Sequence, residues 1–305
     1  MKVAIAGFGG LAYYLVEELP KEGHEVVVLT RSRKAVLDEL KITQHLVDYS
    51  NVAALATQLS DCDAVVCTII SDALTWLTDQ LALLEACKRS PKCKSFLPAL
   101  WGGNFEEVND QPMGVEYGLQ PLLAALESQK EVAWTFICQG WFSEYVLPTS
   151  QRYMKDIGDA WPQNLNSKTF IMYGRGTQLV DFTSARDTAR ATAVLLNHKP
   201  STWEPYTYIS GQQMTWFELY ETIKSRDPAY AFKTKSLAQS IRQYMAKESE
   251  ESYVIALHEI MGFSEALWVP KDKLEKHKKK YFGNMKFRGI ADLIDEGAAN
   301  PKAVI

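Results

Sequence analysis

Short apolar runs alternate with helix-like patterns through the first half of the chain. The first run, residues 3–6, leads into a glycine-rich turn, and the helix predicted over 11–19 places leucines on one face at every fourth position. A second apolar run covers 25–30. This order of strand, helix and strand predicts a βαβ unit at the start of the chain.

The same alternation continues to about residue 140. The pattern predicts strands at 45–48, 64–70, 95–97 and 134–139 and helices at 52–59, 74–87 and 115–126. Because helices separate most neighbouring strands, we predict an α/β fold with a doubly wound, parallel sheet. Ligands of such sheets bind at the carboxyl ends of the strands.

Beyond Pro148 the pattern becomes less regular. It predicts a β-hairpin over 169–182, a helix over 187–196, a strand at 206–210 and, after a capping box that starts at Thr215, mostly helices. We therefore expect a dinucleotide-binding domain and a smaller, mostly helical substrate lobe. The domain takes residues 1–148 with a returning segment at about 183–210, and the lobe takes 149–182 and 211–305.

The glycine-rich turn has the spacing G-x-G-x-x-G/A of a Rossmann-type dinucleotide site. Gly7 permits the tight turn, Gly9 lets the backbone approach a pyrophosphate, and Ala12 allows close packing of helix and strand. The phosphates then lie at the helix N-terminus, near Phe8, Gly10 and Leu11. A glycine turn without a ligand is the alternative, but the strand before it and the helix after it favour the site.

The end of the second strand indicates which dinucleotide binds. NAD-binding chains usually place a carboxylate there to hold the ribose hydroxyl, whereas this chain has Thr30, Arg31, Ser32 and Arg33. Two guanidinium groups can hold a 2′-phosphate by charge-assisted hydrogen bonds. The sequence therefore favours NADP(H), with solvated surface arginines as the alternative.

Further residues end strands at the same edge of the predicted sheet. Asp48 follows one strand, and Thr68 and Ile69 lie at the end of another, so we expect all three near the cofactor. Asp48 could contact the adenine or cap the next helix. Gly140 follows the strand at 134–139 and could let the nicotinamide approach the backbone.

Composition excludes several classes of function. The 305 residues are 47% hydrophobic and 23% charged, with a net charge of −4, which is ordinary for a globular protein and offers no basic surface for nucleic acid. The lysine-rich run 271–280 also contains acidic residues, as a solvated helix face does. Without a membrane-length apolar run or a cleavable signal, a cytoplasmic protein is expected.

The cysteines and histidines form no metal-binding pattern. Five cysteines lack C-x-x-C spacing, and five histidines are scattered singly. Several cysteines lie in apolar segments, so we expect buried, reduced thiols and no metal site.

Six stretches of the chain, taken in order, carry a family resemblance. They are A-G-F-G-G-L-A, T-R-S-R, H-L-V-D-Y-S-N-V-A-A-L, D-A-V-V-C-T, K-S-F-L-P-A-L-W-G and Q-G-W-F-S-E-Y. Over roughly the first 200 residues the chain resembles NmrA-like and isoflavone-reductase-like proteins, which are atypical short-chain dehydrogenases. The resemblance implies NADP(H) binding by Gly7, Gly9, Gly10, Arg31 and Arg33. It also implies a substrate cleft near Trp101 and Trp141.

The chain departs from the family pattern at two places. Tyr13 replaces the third glycine of the family's G-x-x-G-x-x-G, so the loop over the phosphates is expected to differ. The lysine that family reductases carry after the fifth strand is also missing, because the corresponding residues 117–122 contain none. A proton donor must therefore come from elsewhere if the chain is a reductase.

Tyr117 is the preferred candidate for the proton donor. Its hydroxyl could protonate an enolate or alkoxide if the cofactor's positive charge lowered its pKa, although packing is an alternative role. Gln120 could orient a carbonyl but cannot transfer a proton. Glu106, Glu107 and Glu116 would need a pKa raised by burial. The pair Tyr220 and Lys224 has short-chain dehydrogenase spacing but comes too late in the chain.

Aromatic residues concentrate near the expected cleft. The predicted substrate pocket comprises Trp101, Phe105, Trp141 and Phe142, which suits a flat, apolar or aromatic ligand, with core packing as the alternative. We therefore expect an NADPH-dependent reductase that acts on a C=C or C=O bond of a small aromatic or polyketide-like metabolite. The alternatives are a non-catalytic NADP-binding sensor with a protein partner, and a redox-neutral isomerase, dehydratase or cyclase.

Overall fold

The computed structural model describes all residues, 1–305, and has a parallel six-stranded sheet at its centre. The strands are β1 (Lys2–Ala6), β2 (Glu25–Thr30), β3 (Thr43–Leu46), β4 (Ala64–Cys67), β5 (Ser95–Leu97) and β6 (Ala133–Trp134). Their order is β3-β2-β1-β4-β5-β6, and every neighbouring pair is parallel. The predicted doubly wound α/β fold is confirmed.

Helices connect most of these strands. They are α1 (Gly10–Glu18), α2 (Ala35–Glu39), α3 (Val52–Gln58), α4 (Ala73–Arg89), α5 (Pro112–Glu116) and α6 (Leu119–Glu127). The prediction of a single helix over 115–126 is wrong, because the helix is interrupted between α5 and α6. Gly118 has φ +71°, a left-handed conformation that ends one helix and starts the next.

Alternating side chains of the strands supply two hydrophobic cores. Val3 and Ile5 of β1 face a core that includes residues of α1, whereas Ala4 and Ala6 face the core beneath α4 and α6. This division follows from the two-residue period of a strand. The five cysteines are all buried and unpaired, as expected. None of the helices combines the length and apolar character that a membrane span requires.

Three smaller sheets extend the molecule. In the first, strands β7 (Phe136–Cys138) and β12 (Tyr206–Tyr208) pair in parallel. In the second, β11 (Leu179–Thr183) lies between β8 (Trp141–Phe142) and β13 (Gln212–Thr215). In the third, β10 (Thr169–Tyr173) lies between β9 (Gln163–Asn164) and β14 (Ala231–Lys235). The single strand predicted at 134–139 is thus divided at Thr135 between two sheets.

The predicted hairpin over 169–182 is wrong. Strands β10 and β11 follow each other in the chain but belong to different sheets. Gly174 and Gly176 adopt positive φ angles, as turn residues do, yet β11 takes its hydrogen bonds from β8 and β13 instead of β10. Strand β14 also lies in a region that was predicted to be mostly helical.

The second half of the chain contributes six helices. They are α7 (Ala185–Leu196), α8 (Trp216–Arg226), α9 (Leu237–Ala246), α10 (Glu250–Phe263), α11 (Lys271–His277) and α12 (Ile290–Ala299). The predicted capping box is present, since the Thr215 hydroxyl accepts the N–H of Glu218 and the Glu218 carboxylate accepts the N–H of Thr215. Helix α7 packs against α1, and α10 packs against α5 and α9.

Candidate cofactor and substrate site

The turn between β1 and α1 is held in place by a buried phenol. Gly7 has φ +87°, and its N–H donates to the carbonyl oxygen of Leu29 and to the hydroxyl oxygen of Tyr49, each at 2.9 Å. The Tyr49 hydroxyl in turn donates to the Leu29 carbonyl at 2.9 Å. Burial raises the pKa of Tyr49, so the phenol stays protonated at neutral pH. Tyr49 therefore fixes the glycine turn to the end of β2.

The N-terminus of α1 is open and has no side-chain cap. Gly9 occupies the N-cap position, and a Cβ atom placed on it would meet no heavy atom within 4 Å. The first N–H groups of a helix lack partners inside the helix and attract anions. At Gly10, by contrast, a Cβ atom would lie 2.8 Å from the Met154 sulfur. Gly9 thus leaves the space that a phosphate requires, whereas Gly10 is needed for packing.

Tyr13, which replaces the third glycine of the family pattern, is accommodated by aromatic stacking. Its ring centre lies 4.4 Å from that of Phe8 and 4.8 Å from that of Tyr153. The N–H of Tyr153 also donates to the Tyr14 hydroxyl at 3.1 Å. The departure from the family sequence therefore leaves the space around Gly9 open.

Residues after β4 lie beside the glycine turn, at the carboxyl edge of the sheet. The Thr68 hydroxyl lies 3.2 Å from the carbonyl oxygens of both Ala6 and Gly7, and a Cβ atom on Gly7 would lie 3.0 Å from Ile69 Cγ1. The indole N–H of Trp101 donates to the Cys67 carbonyl at 2.8 Å. The structure thus brings predicted cofactor residues and a predicted substrate residue together at the carboxyl end of β4.

Several buried polar groups near strand ends have no partner within the protein. They are the Thr30 hydroxyl at the end of β2, the Ser71 hydroxyl after β4 and both amide atoms of Gln139 after β7. Buried polar groups are normally hydrogen-bonded, and leaving them unpaired costs free energy. Together with the open end of α1, these groups fit a polar, extended ligand such as a dinucleotide along this edge.

The two arginines predicted to select NADP(H) each pair with a carboxylate. Arg31 forms an ion pair with Asp79 of α4, and its guanidinium lies 5.6 Å from the centre of the Tyr49 ring. Arg33 makes two hydrogen bonds of 3.0 Å to Asp38 at the surface. A bound 2′-phosphate would exchange or share these carboxylate contacts, so the role of both arginines stays a prediction.

Asp48 does not cap the next helix. Its carboxylate accepts the N–H and the hydroxyl of Ser50 at 2.9 and 2.7 Å, whereas Asn51 caps α3 by accepting the N–H of Ala54 at 3.0 Å. The capping alternative for Asp48 is therefore wrong, and the adenine contact stays a prediction.

Gly140 is required by packing between strands. It has φ +73°, and a Cβ atom there would lie 1.9 Å from the carbonyl oxygen of Asp181 in β11. No other residue fits this position without moving the backbone. This geometry explains the glycine without a ligand, so its contact with the nicotinamide stays a prediction.

The residues of the predicted substrate pocket have different surroundings. Trp101 and Phe142 are partly exposed, whereas Phe105 is a core residue with 5% of its surface exposed. The ring centre of Trp141 lies 5.5 Å from that of Trp161 and 5.7 Å from that of His258. Trp141 is only 6% exposed and packs among buried aromatic rings, so Trp141 and Phe105 are both core residues, and the substrate contact predicted for them is not supported. Trp101 and Phe142 keep an accessible surface, and their substrate contact stays a prediction.

Tyr117 lies in the break between α5 and α6, and Gln120 points to solvent. The half-buried ring of Tyr117 packs edge-to-face on Trp76 with a centroid distance of 5.7 Å, and the Trp76 indole donates to the carbonyl of Ala99 just after β5. Burial raises the pKa of Tyr117. The hydroxyl is thus protonated at neutral pH, and the ring lies against Trp76 near the end of β5, whereas Gln120 is exposed on α6.

The other sequence-based candidates are engaged in structural contacts. Hydrogen bonding by Lys273 lowers the pKa of Glu107, and hydrogen bonding by tyrosines of α9 and α10 lowers that of Glu116. The carboxylate of Glu106 accepts hydrogen bonds from Tyr208 and Lys273. In α8 the Tyr220 hydroxyl donates to a backbone carbonyl, and Lys224 lies over its ring. The lowered pKa values of Glu107 and Glu116 are the opposite of what a carboxylic acid donor needs.

His258 was not identified by the sequence analysis. It lies on α10 beside Trp141, and its Nδ1 atom is 2.8 Å from the carbonyl oxygen of Val254. The side chain is partly exposed, although burial lowers its pKa below the ordinary 6.5. A single histidine in a helical pattern gives no sequence signal, and only the packing of α10 reveals its position.

Comparisons with known proteins agree with this geometry. The NAD(P)H-binding family model matches residues 7–160. An oxidoreductase called swnR from Arthroderma benhamiae is 34% identical over 307 residues, which cover all of both chains. An isoflavone reductase homolog, A622-like, from Nicotiana tabacum is 21% identical over 82% of this chain and 76% of its own. The structure of leucoanthocyanidin reductase with NADPH from Vitis vinifera has a TM-score of 0.77 at 16% identity, covering 98% of this chain and 100% of its own.

Fold, glycine turn and full-length similarity together define an NAD(P)H-binding oxidoreductase. The chain belongs to the NmrA-like and isoflavone-reductase-like family, and its similarity to the fungal swnR oxidoreductases extends over its entire length. The predicted family and the predicted dinucleotide cofactor are therefore confirmed.

Proposed function

We propose that this protein is an NADPH-dependent reductase acting on a C=C or C=O bond of a small aromatic or polyketide-like metabolite. One observation carries the proposal: the open N-terminus of α1 and the partly exposed indole of Trp101 lie at the carboxyl ends of two adjacent parallel strands, β1 and β4. Gly9 leaves room for the phosphates, and Trp101 is anchored to the last carbonyl of β4. Cofactor and aromatic ligand would thus meet at this edge.

The chain would hold the cofactor by backbone and by charge. The N–H groups at the start of α1 bind the pyrophosphate, while Arg31 and Arg33 bind the 2′-phosphate in exchange for their carboxylate partners. The buried amide of Gln139, which has no partner in the protein, is available to the nicotinamide end. Bound NADPH supplies a hydride to the substrate.

Tyr117 would supply the proton that accompanies the hydride. Burial raises the pKa of its phenol, so the hydroxyl keeps its proton, and the positive charge of the oxidised nicotinamide would have to lower that pKa for the proton to be transferred. Its ring is held by Trp76, whose indole is bonded to the backbone after β5. A hydroxyl in this position can protonate an oxygen or carbon that gains negative charge, which is the task of the lysine missing from residues 117–122.

The aromatic substrate class is supported by the lining of the edge and by the named relatives. Indole and phenol rings favour flat ligands, because they offer large apolar contact area at a small entropic cost. One relative is named as an isoflavone reductase homolog, and one protein of similar fold is a leucoanthocyanidin reductase; both names refer to aromatic compounds.

A substrate screen tests the proposal. Phenolic and polyketide-type enones and ketones are mixed with the protein and NADPH, and oxidation of NADPH is followed by absorbance while the product is identified by mass. We expect at least one compound to gain two hydrogen atoms in proportion to the NADPH consumed. The proposal is wrong if NADPH binds tightly and no compound in a broad screen is reduced.

The missing family lysine favours a second candidate, a non-catalytic NADP-binding regulator with a protein partner. Such a protein binds the cofactor and leaves every small molecule unchanged. A redox-neutral isomerase, dehydratase or cyclase also remains open, and product mass separates these alternatives. An isomerase keeps the substrate mass, a dehydratase removes water, and a regulator produces no product.

A further inference from the structure

We propose that a cavity in the C-terminal half of the chain binds a small zwitterion, namely an α-amino acid with an aliphatic side chain. The cavity has a volume of about 360 Å³, which lies within the usual range of ligand pockets, about 300–1,000 Å³. Its lining residues all lie between Asp159 and Glu259, and none of the residues predicted to hold the cofactor is among them. This site is therefore separate from the proposed reductase site.

The sheet of β9, β10 and β14 forms one wall of the cavity. In β10, Ile171 lines the cavity, whereas Phe170 and Met172 on either side of it belong to the hydrophobic core. Lys233 of β14 pairs with Ile171, and Lys235 follows two residues later. Because side chains two positions apart point to the same face of a sheet, both lysines line the cavity together with Ile171.

One ion pair is already complete in the opposite wall, which α9 and α10 form. Lys235 Nζ donates to the Glu259 carboxylate of α10 at 2.6 Å and to Gln243 Oε1 of α9 at 2.7 Å. The other Glu259 oxygen accepts the Ser240 hydroxyl at 2.8 Å, and the Glu259 side chain is only 4% exposed. Lys235 and Glu259 therefore satisfy each other and leave little charge for a ligand.

Two further charged groups at the cavity have no partner in the protein. Lys233 and Asp159 both line it, but neither side chain forms a hydrogen bond or an ion pair. Lys233 lies on β14, at one edge of the three-stranded sheet. Asp159 lies in the turn Gly158–Ala160, which packs against β9 at the other edge. A free ammonium group and a free carboxylate thus stand on opposite sides of the cavity.

This arrangement fits a ligand that carries one charge of each sign. The ligand's carboxylate would pair with Lys233 and its ammonium group with Asp159 by charge-assisted hydrogen bonds. A dianion would find only one free lysine, because Lys235 is held by Glu259. The two isoleucines of the lining, Ile171 and Ile255, offer apolar contact to an aliphatic side chain.

Three related compounds test this site by calorimetric titration of the full-length protein. L-Leucine carries both charges, isocaproate is the same molecule without the ammonium group, and isoamylamine is the same molecule without the carboxylate. We expect leucine to bind at least about tenfold more tightly than either analogue. Equal binding of leucine and isocaproate would show a site for anions alone, and equal binding of leucine and isoamylamine would show a site for cations alone. Either result would overturn the inference, as would the absence of saturable leucine binding at millimolar concentrations.

Two variants assign the charges. Asp159→Asn should lower the affinity for leucine to that of isocaproate and leave isocaproate unchanged, because only the partner of the ammonium group is lost. Lys233→Gln should lower the affinity for leucine to that of isoamylamine and leave isoamylamine unchanged. Both side chains are exposed and make no hydrogen bond, so both variants should fold. Equal losses for leucine and the analogue would indicate a general change in the cavity and contradict the assignment.

Asp110→Asn and Lys279→Gln are the matched controls. Both residues are exposed, form no ion pair and lie outside the cavity, so the two variants should bind leucine like the natural protein. Losses as large as those in Asp159→Asn and Lys233→Gln would show a response to net charge and overturn the inference. NADPH affinity should stay unchanged in all four variants, because the cofactor residues are elsewhere.

Glycine tests the apolar part of the site. It carries both charges but lacks the side chain that would contact Ile171 and Ile255, so it should bind more weakly than leucine. Equal affinities for glycine and leucine would contradict the aliphatic side chain of the proposed ligand.

Discussion

Arg31 and Asp79 form an ion pair that joins the loop after β2 to helix α4. The Asp79 side chain is nearly buried, and burial raises its pKa, while Arg31 opposes that shift. The Arg31 side chain is half exposed, so the guanidinium has a free side toward solvent. The ion pair therefore holds a partly exposed cation after the end of β2, where we predict that the 2′-phosphate binds.

This arrangement predicts a preference for NADPH. We expect the protein to bind NADPH at least about tenfold more tightly than NADH, or about 1.4 kcal/mol. Replacing both Arg31 and Arg33 with alanine should remove the preference and leave NADH binding nearly unchanged, as calorimetric titration will show. Asp79→Asn retains Arg31 but removes the ion pair that positions it, so it should weaken NADPH binding less than the loss of both arginines does. Equal affinities for the two cofactors in the natural protein would contradict the assignment.

Gly9 and Gly10 should respond differently to substitution. Gly9→Val places its side chain in open space, so the protein should keep its thermal stability but lose dinucleotide binding. Gly10→Val would bring a side chain against Met154 and should lower the melting temperature. Thermal unfolding and cofactor titration of both variants separate the two roles. Full cofactor affinity in Gly9→Val would place the phosphates elsewhere.

Tyr49→Phe tests the buried phenol beside the glycine turn. The change removes the hydroxyl that links Gly7 to Leu29 and should lower the free energy of unfolding by about 1 kcal/mol. It should also weaken cofactor binding, because the N–H of Gly7 then keeps only its hydrogen bond to the Leu29 carbonyl. Urea denaturation and titration measure the two effects, and an unchanged protein in both assays would show that the Leu29 contact is sufficient.

Tyr117→Phe tests the proton donor once a substrate is known. If the phenol supplies the proton, the variant should lower kcat by on the order of 100-fold with little change in cofactor affinity. Gln120→Ala, on the exposed face of α6, provides the comparison and should have a much smaller effect. A Tyr117→Phe variant with normal turnover would exclude the phenol from the chemistry.

His258 should make acid destabilise the protein. Burial lowers its folded-state pKa below 6.5, so between the two values the unfolded chain binds a proton that the native protein does not. The free energy of unfolding therefore falls as the pH decreases through this window, by at most about 1.4 kcal/mol per pH unit. His258→Gln should reduce this loss, measured as the difference between the two proteins at several pH values. Parallel pH profiles would contradict the lowered pKa.

Local sequence signals were sufficient for the first βαβ unit. Strand β2 has its predicted bounds, and α1 differs by one residue at each end, because alternating apolar runs and glycines act within a few residues of each other. Pairing between distant strands was not predictable in this way. The strand after Gly176 pairs with β8 and β13 and not with β10, and this pairing depends on tertiary contacts.

The residues of the candidate site also divide into those that the local sequence predicts and those that only tertiary contacts reveal. Gly7 and Gly9 could be identified from spacing alone, since the turn and the start of α1 are contiguous in the chain. Tyr49 could not, because its role comes from a contact with Gly7, far away in the sequence. Motifs therefore predict the phosphate end of the site better than the end that receives the substrate.

The packing of α7 on α1 and the pairing of β12 with β7 limit how this protein can evolve. Both elements follow residue 160, where the match to the NAD(P)H-binding family model ends. Nevertheless, α7 packs on the first helix of the matched region, and β12 pairs with one of its strands. A gene fusion that exchanged everything after that point would leave an apolar helix face and a strand edge without partners. New substrate preferences in this architecture should therefore arise by single substitutions within the present chain and not by exchange of a complete C-terminal module.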